Sequence, residues 1–167
     1  MNNADSLIKE LKRFSSRIIT FGDPIYDNRI PEFEMRHSLF LPKDYKYIIN
    51  QTNGFSLMGN TVLGIYKIST IDSLESAYIR EHNLVKVPMY KHIVPFSPDG
   101  QGNYYCFNTL EHTNGGTSCE IIFWLSNYQY TDEDKPEVVY DTFVDFVNEV
   151  FIDWTLEDYD YHGNRKK

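Results

Sequence analysis

Leu7, Ile8, Leu11 and Phe14 recur three and four positions apart with polar residues between them. That spacing predicts an amphipathic helix over about 5–17, with Asp5 or Ser6 as its N-cap. Gly22-Asp23-Pro24 and Arg29-Ile30-Pro31 then interrupt the pattern, and the chain reads as irregular up to about Phe40. Periodicity returns at Leu41-Pro42, where the missing donor of proline suits a first helical turn. Tyr45, Ile48 and Ile49 line one face of this second helix, and Asn53-Gly54 supplies its stop. Thr61 to Ile68, β-branched and aromatic, predicts a strand. Asp72-Ser73-Leu74-Glu75 is a loose capping box that opens a helix to about Asn83.

From Pro88 the pattern turns to strands. Ile93-Val94-Pro95-Phe96 and Tyr104-Tyr105-Cys106-Phe107 flank the turn Ser97 to Asn103 and predict a hairpin. A second turn, Thr113-Asn114-Gly115-Gly116, leads to a strand over Glu120 to Leu125. The last element is an amphipathic helix in which Phe143, Phe146, Val147, Val150, Phe151 and Trp154 share one face. Asp141, Asp145, Glu149 and Asp153 form an acidic ridge on the other. The expected core therefore includes Val94, Phe107, Trp124, Phe143, Phe146 and Val150.

Composition adds 13 Tyr, 11 Phe and 2 Trp in 167 residues, so the core is rich in rings and some tyrosines must reach the surface. One domain over 1–167 is expected from the length and the absence of a dividing linker. No apolar run has the roughly 18 residues a membrane span requires. The start MNNADSLIKELKR has no apolar h-region, and a cytoplasmic protein is expected. Charge changes the picture more. Residues 93–164 hold 14 acidic side chains and one basic, Lys135, whereas residues 1–92 are nearly balanced. Nucleic acid is a poor partner for such a surface, and a cationic protein a natural one.

Few residues suggest chemistry. Cys106, His112 and Cys119 match no common structural zinc spacing, and no metal is expected. Asp99-x-Gln101-x-Asn103 resembles the opening of a calcium loop, but its glycine is misplaced and position 110 is Leu, so a glycine-adapted hairpin is the better reading. The chain lacks a nucleophile elbow, a P-loop and a dinucleotide fingerprint. Glu111-His112 is the best acid/base pair, and a solvent-exposed turn is preferred for it. Three acidic runs remain: Asp132-Glu133-Asp134, the helix ridge, and Glu157-Asp158-Tyr159-Asp160-Tyr161. They form either a solvated face or a protein-binding surface in which carboxylates steer and tyrosines anchor.

Several motifs, in order, resemble the SUKH superfamily, specifically the Smi/Knr cell-wall-assembly-regulator family, over about residues 40–150. They are Leu41-Pro42 with Asp44-Tyr45, Asn53-Gly54, Val94-Pro95-Phe96, and Asp99-Gly100-Gln101-Gly102-Asn103 running into Tyr104 to Asn108. Ile122-Phe123-Trp124 and the Phe-rich helix from Thr142 to Val147 complete the series. Asn108 stands where members often have Asp.

The resemblance implies an α+β domain, a mostly antiparallel sheet with surrounding helices. It also implies a bacterial immunity protein that neutralises a cognate secreted toxin, a basic nuclease domain, by direct binding without catalysis or cofactor. The alternative is a regulatory scaffold for an endogenous protein partner; a pocket near residues 97–103 serving a small molecule ranks third. The expected partner surface is Asp132, Glu133, Asp134, Glu157, Asp158, Tyr159, Asp160 and Tyr161, on a monomer or weak dimer. Leu41, Pro42, Asn53, Gly54, Pro95, Asp99, Gly100, Gly102, Asn103 and Trp124 are expected to be structural.

Overall fold

Helix α1 (Asn3–Leu11) forms because Ala4, Leu7, Ile8 and Leu11 make one buried stripe. A computed structural model of the chain describes residues 3–67 and 71–167. The helix stops well short of residue 17. Phe14 is still buried, but from a turn in which the Ser15 N–H donates to the carbonyl of Tyr161 at 2.8 Å. The stretch expected to be irregular holds β1 (Ile19–Phe21) and α2 (Arg29–His37). Pro31 falls in the first turn of α2, where backbone donors have no intrahelical acceptor to lose, and Ile30 and Phe33 bury its inner face.

Pro42 is the N-cap of α3 (Lys43–Thr52), one position earlier than a first-turn proline. Asn53 ends the helix at φ 40°, its N–H donating to Ile49 O at 2.7 Å. β2 (Gly54–Leu57) follows at once and pairs with β3 (Asn60–Leu63), so the expected strand from Thr61 ends at Leu63. The chain leaves the strand at Gly64, where a Cβ would stand 2.1 Å from the Asn53 carbonyl oxygen. Ile68 lies outside the described residues. In α4 (Leu74–Asn83) the cap is Ser73 and not Asp72; its Oγ accepts from the Ser76 N–H at 3.2 Å.

The strands form two antiparallel sheets, ordered β1-β2-β3 and β4-β5-β6-β7. The second comprises β4 (Ile93–Pro98), β5 (Tyr104–Thr113), β6 (Ser118–Trp124) and β7 (Glu137–Tyr140); β7 carries no clear signal in sequence. The sheets meet where Ser97 Oγ–H donates to the carbonyl of Thr61 at 2.7 Å. In the β4–β5 turn one Asp99 oxygen accepts from the Gln101 N–H at 2.7 Å and the Asn103 N–H at 3.0 Å. Gly100 and Gly102 supply the positive φ values, 82° and 96°, that this turn requires. Asp99 thus spends its carboxylate on its own loop.

The final helix departs most from expectation. α5 (Phe143–Val147) runs into a π-helical segment, Asn148–Asp153, and then α6 (Trp154–Asp158). Thr142 caps it by accepting the Asp145 N–H at 3.0 Å. Phe143, Phe146, Val147, Val150 and Phe151 are buried as expected, but Trp154 is 46% exposed and Thr155 takes the inward position. A π turn holds an extra residue, so the 3.6-residue phase slips by one position. Asp141 lies before the helix, and the ridge is not a continuous row.

One contiguous core unites these elements. Phe96 stacks on Phe107 at 4.0 Å and meets Phe146 edge-on at 5.2 Å. Tyr45, wholly buried, closes on Phe107 and donates its hydroxyl to Leu63 O at 2.6 Å. The architecture is α+β: antiparallel sheets with helices packed around them.

Candidate partner-binding site

Strand alternation sends Phe107 and Ile121 toward α5 and places Cys106, Asn108, Glu120, Ile122 and Trp124 on the opposite face of the second sheet. Asn108 pairs with Ile93 on one side and Glu120 on the other, and Ile122 pairs with Val138. These residues floor a cavity of about 520 Å³. Tyr90 and His92 line it, together with Glu111, Glu120, Asp132 and Asp134; Lys135 is its one Lys or Arg.

A pinned loop after β6 forms the outer wall. Tyr130 stacks on Trp124, and its hydroxyl accepts from the Leu125 N–H at 3.0 Å. Tyr90 donates to Thr131 O at 2.7 Å. Asp134 accepts from the Thr131 N–H at 2.7 Å, the Thr131 hydroxyl at 2.9 Å and the Tyr128 hydroxyl at 3.1 Å. Those donors, the Thr131 amide foremost, hold its pKa below the usual carboxylate range. Asp134 therefore shapes the loop while keeping its charge.

The site is under-neutralised. Lys135 forms no ion pair among the described residues, although it shares a cavity with four carboxylates. Burial, and then the nearby Asp134 and Asp132, push the Tyr90 phenol up. Burial and the neighbouring His82 push the His92 imidazole down, which disfavours its charged form. Asn108 donates to Glu120 at 3.5 Å and leaves its own Oδ1 buried with no partner.

The residues expected from sequence divide into groups held by different elements. Asp132 and Asp134 line the cavity; Glu133 is exposed beside them. Glu157 and Asp158 end α6, and Tyr159 bridges to Arg165. Asp160 caps a turn, accepting from the Asn164 N–H at 2.9 Å and its side-chain amide at 3.0 Å. Tyr161 packs 4.8 Å from the Phe14 ring, lies under the Arg13 guanidinium at 4.1 Å and donates to Glu10. Tyr161 ties this C-terminal group to the end of α1 and the turn after it, and none of its five residues lines the cavity.

Glu111 and His112 also part company. Glu111 faces the cavity, whereas the His112 ring lies 3.7 Å from the Cys119 thiol. Cys106 and Cys119 are both buried and free. No group of three or more His, Cys, Asp or Glu among the described residues is placed to hold a metal ion. Sequence reasoning did not place Tyr90, His92, Asn108 or Glu120 in the site. The available signal was the pair Asn108 and Glu120, polar interruptions at matching positions of two apolar strands.

Among the family motifs, Leu41 is buried, Pro42 and Asn53 cap α3, Gly54 opens β2 at φ 84°, and Pro95 precedes a bulge in β4. Asn103 ties the hairpin to the loop after β6 by accepting from the Ser126 N–H at 3.0 Å. No helix among the described residues is long and apolar enough to cross a membrane. No match is found among curated proteins. A crystal structure of a protein from Pseudomonas syringae pv. tomato is similar in fold, with a TM-score of 0.63 and 13% identity, covering 89% of this chain and 98% of that one. The model of the SMI1 / KNR4 family (SUKH-1) matches residues 24–149, most of the chain and every motif named above, and the chain belongs to that family.

Proposed function

We propose that this chain is an immunity protein that acts in the cytoplasm by binding a cognate secreted toxin, a basic nuclease domain, and blocking it without catalysis. The family includes immunity proteins, which supports the class. The observation that carries the reading is the cavity with Glu111, Glu120, Asp132 and Asp134 around an unpaired Lys135. A recessed negative site between low-dielectric walls concentrates field lines and draws in a cation. Glu133 at the rim and the C-terminal carboxylates Glu157, Asp158 and Asp160 add to the long-range field. Nucleic acid is repelled by the same charge.

The test is co-expression with the product of the adjacent reading frame, followed by association kinetics. Asp132→Lys with Glu133→Lys slows association about tenfold or more at low salt, and the wild-type rate falls as the Debye length shrinks from about 10 Å at 0.1 M to about 3 Å at 1 M. Equal protection by the charge-reversed variant, with association that ignores salt, overturns the reading.

A further inference from the structure

A second cavity of about 190 Å³ adjoins the first. It is lined by Phe123, Leu125, Tyr128, Tyr130 and Glu137, and it shares Asp134, Lys135 and Pro136 with the acidic cavity. That shared segment is a ridge with a hollow on each side. The two hollows differ in chemistry: one is ringed by four carboxylates, the other combines three rings and a leucine with Asp134 and Glu137. Large apolar groups left in solvent surround them. Leu125 is 40% exposed, Tyr128 45% and the cavity-lining Val138 46%. Exposed apolar surface rimmed by like charges is the usual make-up of a protein-binding patch, apolar at its centre and polar at its edge.

We propose that the two cavities form one composite docking surface for an extended segment of the cationic partner, with a basic side chain in the larger hollow and an apolar side chain in the smaller. The occupant follows from charge complementarity: the larger hollow holds four carboxylates against one unpaired lysine. Its floor of Ile93, Ile122 and Val138 suits the aliphatic stem of an arginine or lysine, whose head then meets the carboxylates. In the smaller hollow Tyr130 is already held against Trp124, so an apolar side chain enters a formed site at little ordering cost. The proposal rests on the reading of this face as the partner surface, and it adds the chemistry that the partner segment must carry.

The probes are capped peptides, acetyl-Arg-(Gly)n-Leu-amide with one to four glycines, because an extended residue spans about 3.3 Å and the spacer must cross the ridge. Binding to the full chain is followed by amide and ring shifts in NMR. One spacer length binds at least tenfold tighter than acetyl-Arg-amide or acetyl-Leu-amide alone, since joining two occupied sites raises the effective concentration of the second. Glu120→Gln weakens only the arginine-bearing probes, and Leu125→Ser only the leucine-bearing ones. The proposal is overturned if no linked peptide exceeds its halves, or if the shifts fall away from Tyr90 and Tyr128. Should that happen while charge reversal at Asp132 still slows toxin association, the composite surface fails and the acidic steering reading stands.

Discussion

Tyr130 lies stacked on Trp124, ring centroids 4.0 Å apart and planes inclined by 28°. Trp124 is the last residue of β6 and Tyr130 belongs to the loop that walls the acidic cavity, so this pair holds the wall to the sheet. Tyr90 meets the same indole edge-on at 5.5 Å and lies 6.4 Å from the Tyr130 ring, so the three rings pack as one cluster.

Removing the ring frees the wall. Tyr130→Ala loses the stacking and leaves the Leu125 N–H without its acceptor, at a cost of about 2 kcal/mol in urea unfolding. Amide exchange at Thr131 and Asp134 accelerates, and Trp124 fluorescence shifts to the red. A change below about 0.5 kcal/mol with exchange unaltered shows that the loop is held by other contacts.

Phe146 tests the core that the aromatic stripe predicts. It is fully buried against Phe96 at 5.2 Å, Tyr105 at 4.8 Å and Phe151 at 5.8 Å. Phe146→Ala costs about 3 to 5 kcal/mol through lost transfer energy and a residual cavity. Trp154→Ala, on the same predicted stripe but beyond the π segment, costs much less. Equal losses at both positions contradict the phase slip.

Much of the core was legible because its signals are local. The steps from Phe143 to Phe151 and the Asp99 to Asn103 turn need no knowledge of distant residues. What was illegible depended on context. α2 offers only Ile30 and Phe33 as an inner face and carries a proline, yet Phe33 packs edge-on against Tyr78 of α4 at 5.7 Å. The π segment changes a period that the sequence continues without a break. The acidic run at 132–134 was visible, but its cavity is assembled by strand register, which sets Asn108 beside Glu120 and Ile93 beside Asn108. Nothing in the linear spacing of Tyr90, Glu111 and Asp132 announces that they converge.

Asp44 makes stability depend on pH. Its carboxyl is buried at the start of α3 and accepts from the Tyr45 N–H at 2.8 Å; burial pushes its pKa up to about 6, with Asp145 acting in the same direction. Between about pH 4 and 6 the native state holds a proton that the unfolded chain has released, so stability falls as pH rises through that window. The loss is on the order of 2 to 3 kcal/mol at neutral pH, and below pH 4 this group contributes no pH dependence. Asp44→Asn removes the fall. A variant that follows the wild-type pH profile in chemical denaturation shows that Asp44 does not titrate in this range.

The cysteines are expected to be inert in the native state. Burial pushes the Cys119 thiol up to about 12 and the Cys106 thiol well above its ordinary value, so thiolate is scarce at pH 8. Ellman's reagent then reacts with neither thiol on the minute scale until urea unfolds the chain, after which both react. Rapid reaction of either in native protein contradicts that placement.

Tyr161 separates a structural role from an interface role. Its ring lies between the Phe14 ring at 4.8 Å and the Arg13 guanidinium at 4.1 Å, its hydroxyl donates to Glu10, and its carbonyl accepts the Ser15 N–H. A tyrosine with every handle engaged inside its own chain has little left to offer a partner. Tyr161→Ala therefore lowers stability by about 1 to 2 kcal/mol, from lost aromatic packing and hydrogen bonding. It leaves the dissociation rate from the proposed partner within about twofold, because contacts outside the anchors of an interface contribute little to its affinity. Tyr161→Phe keeps the packing and isolates the hydroxyl. If Tyr161→Ala instead speeds dissociation tenfold while the unfolding midpoint stays in place, the ring is an interface anchor, and the contact with α1 gives way when the partner binds.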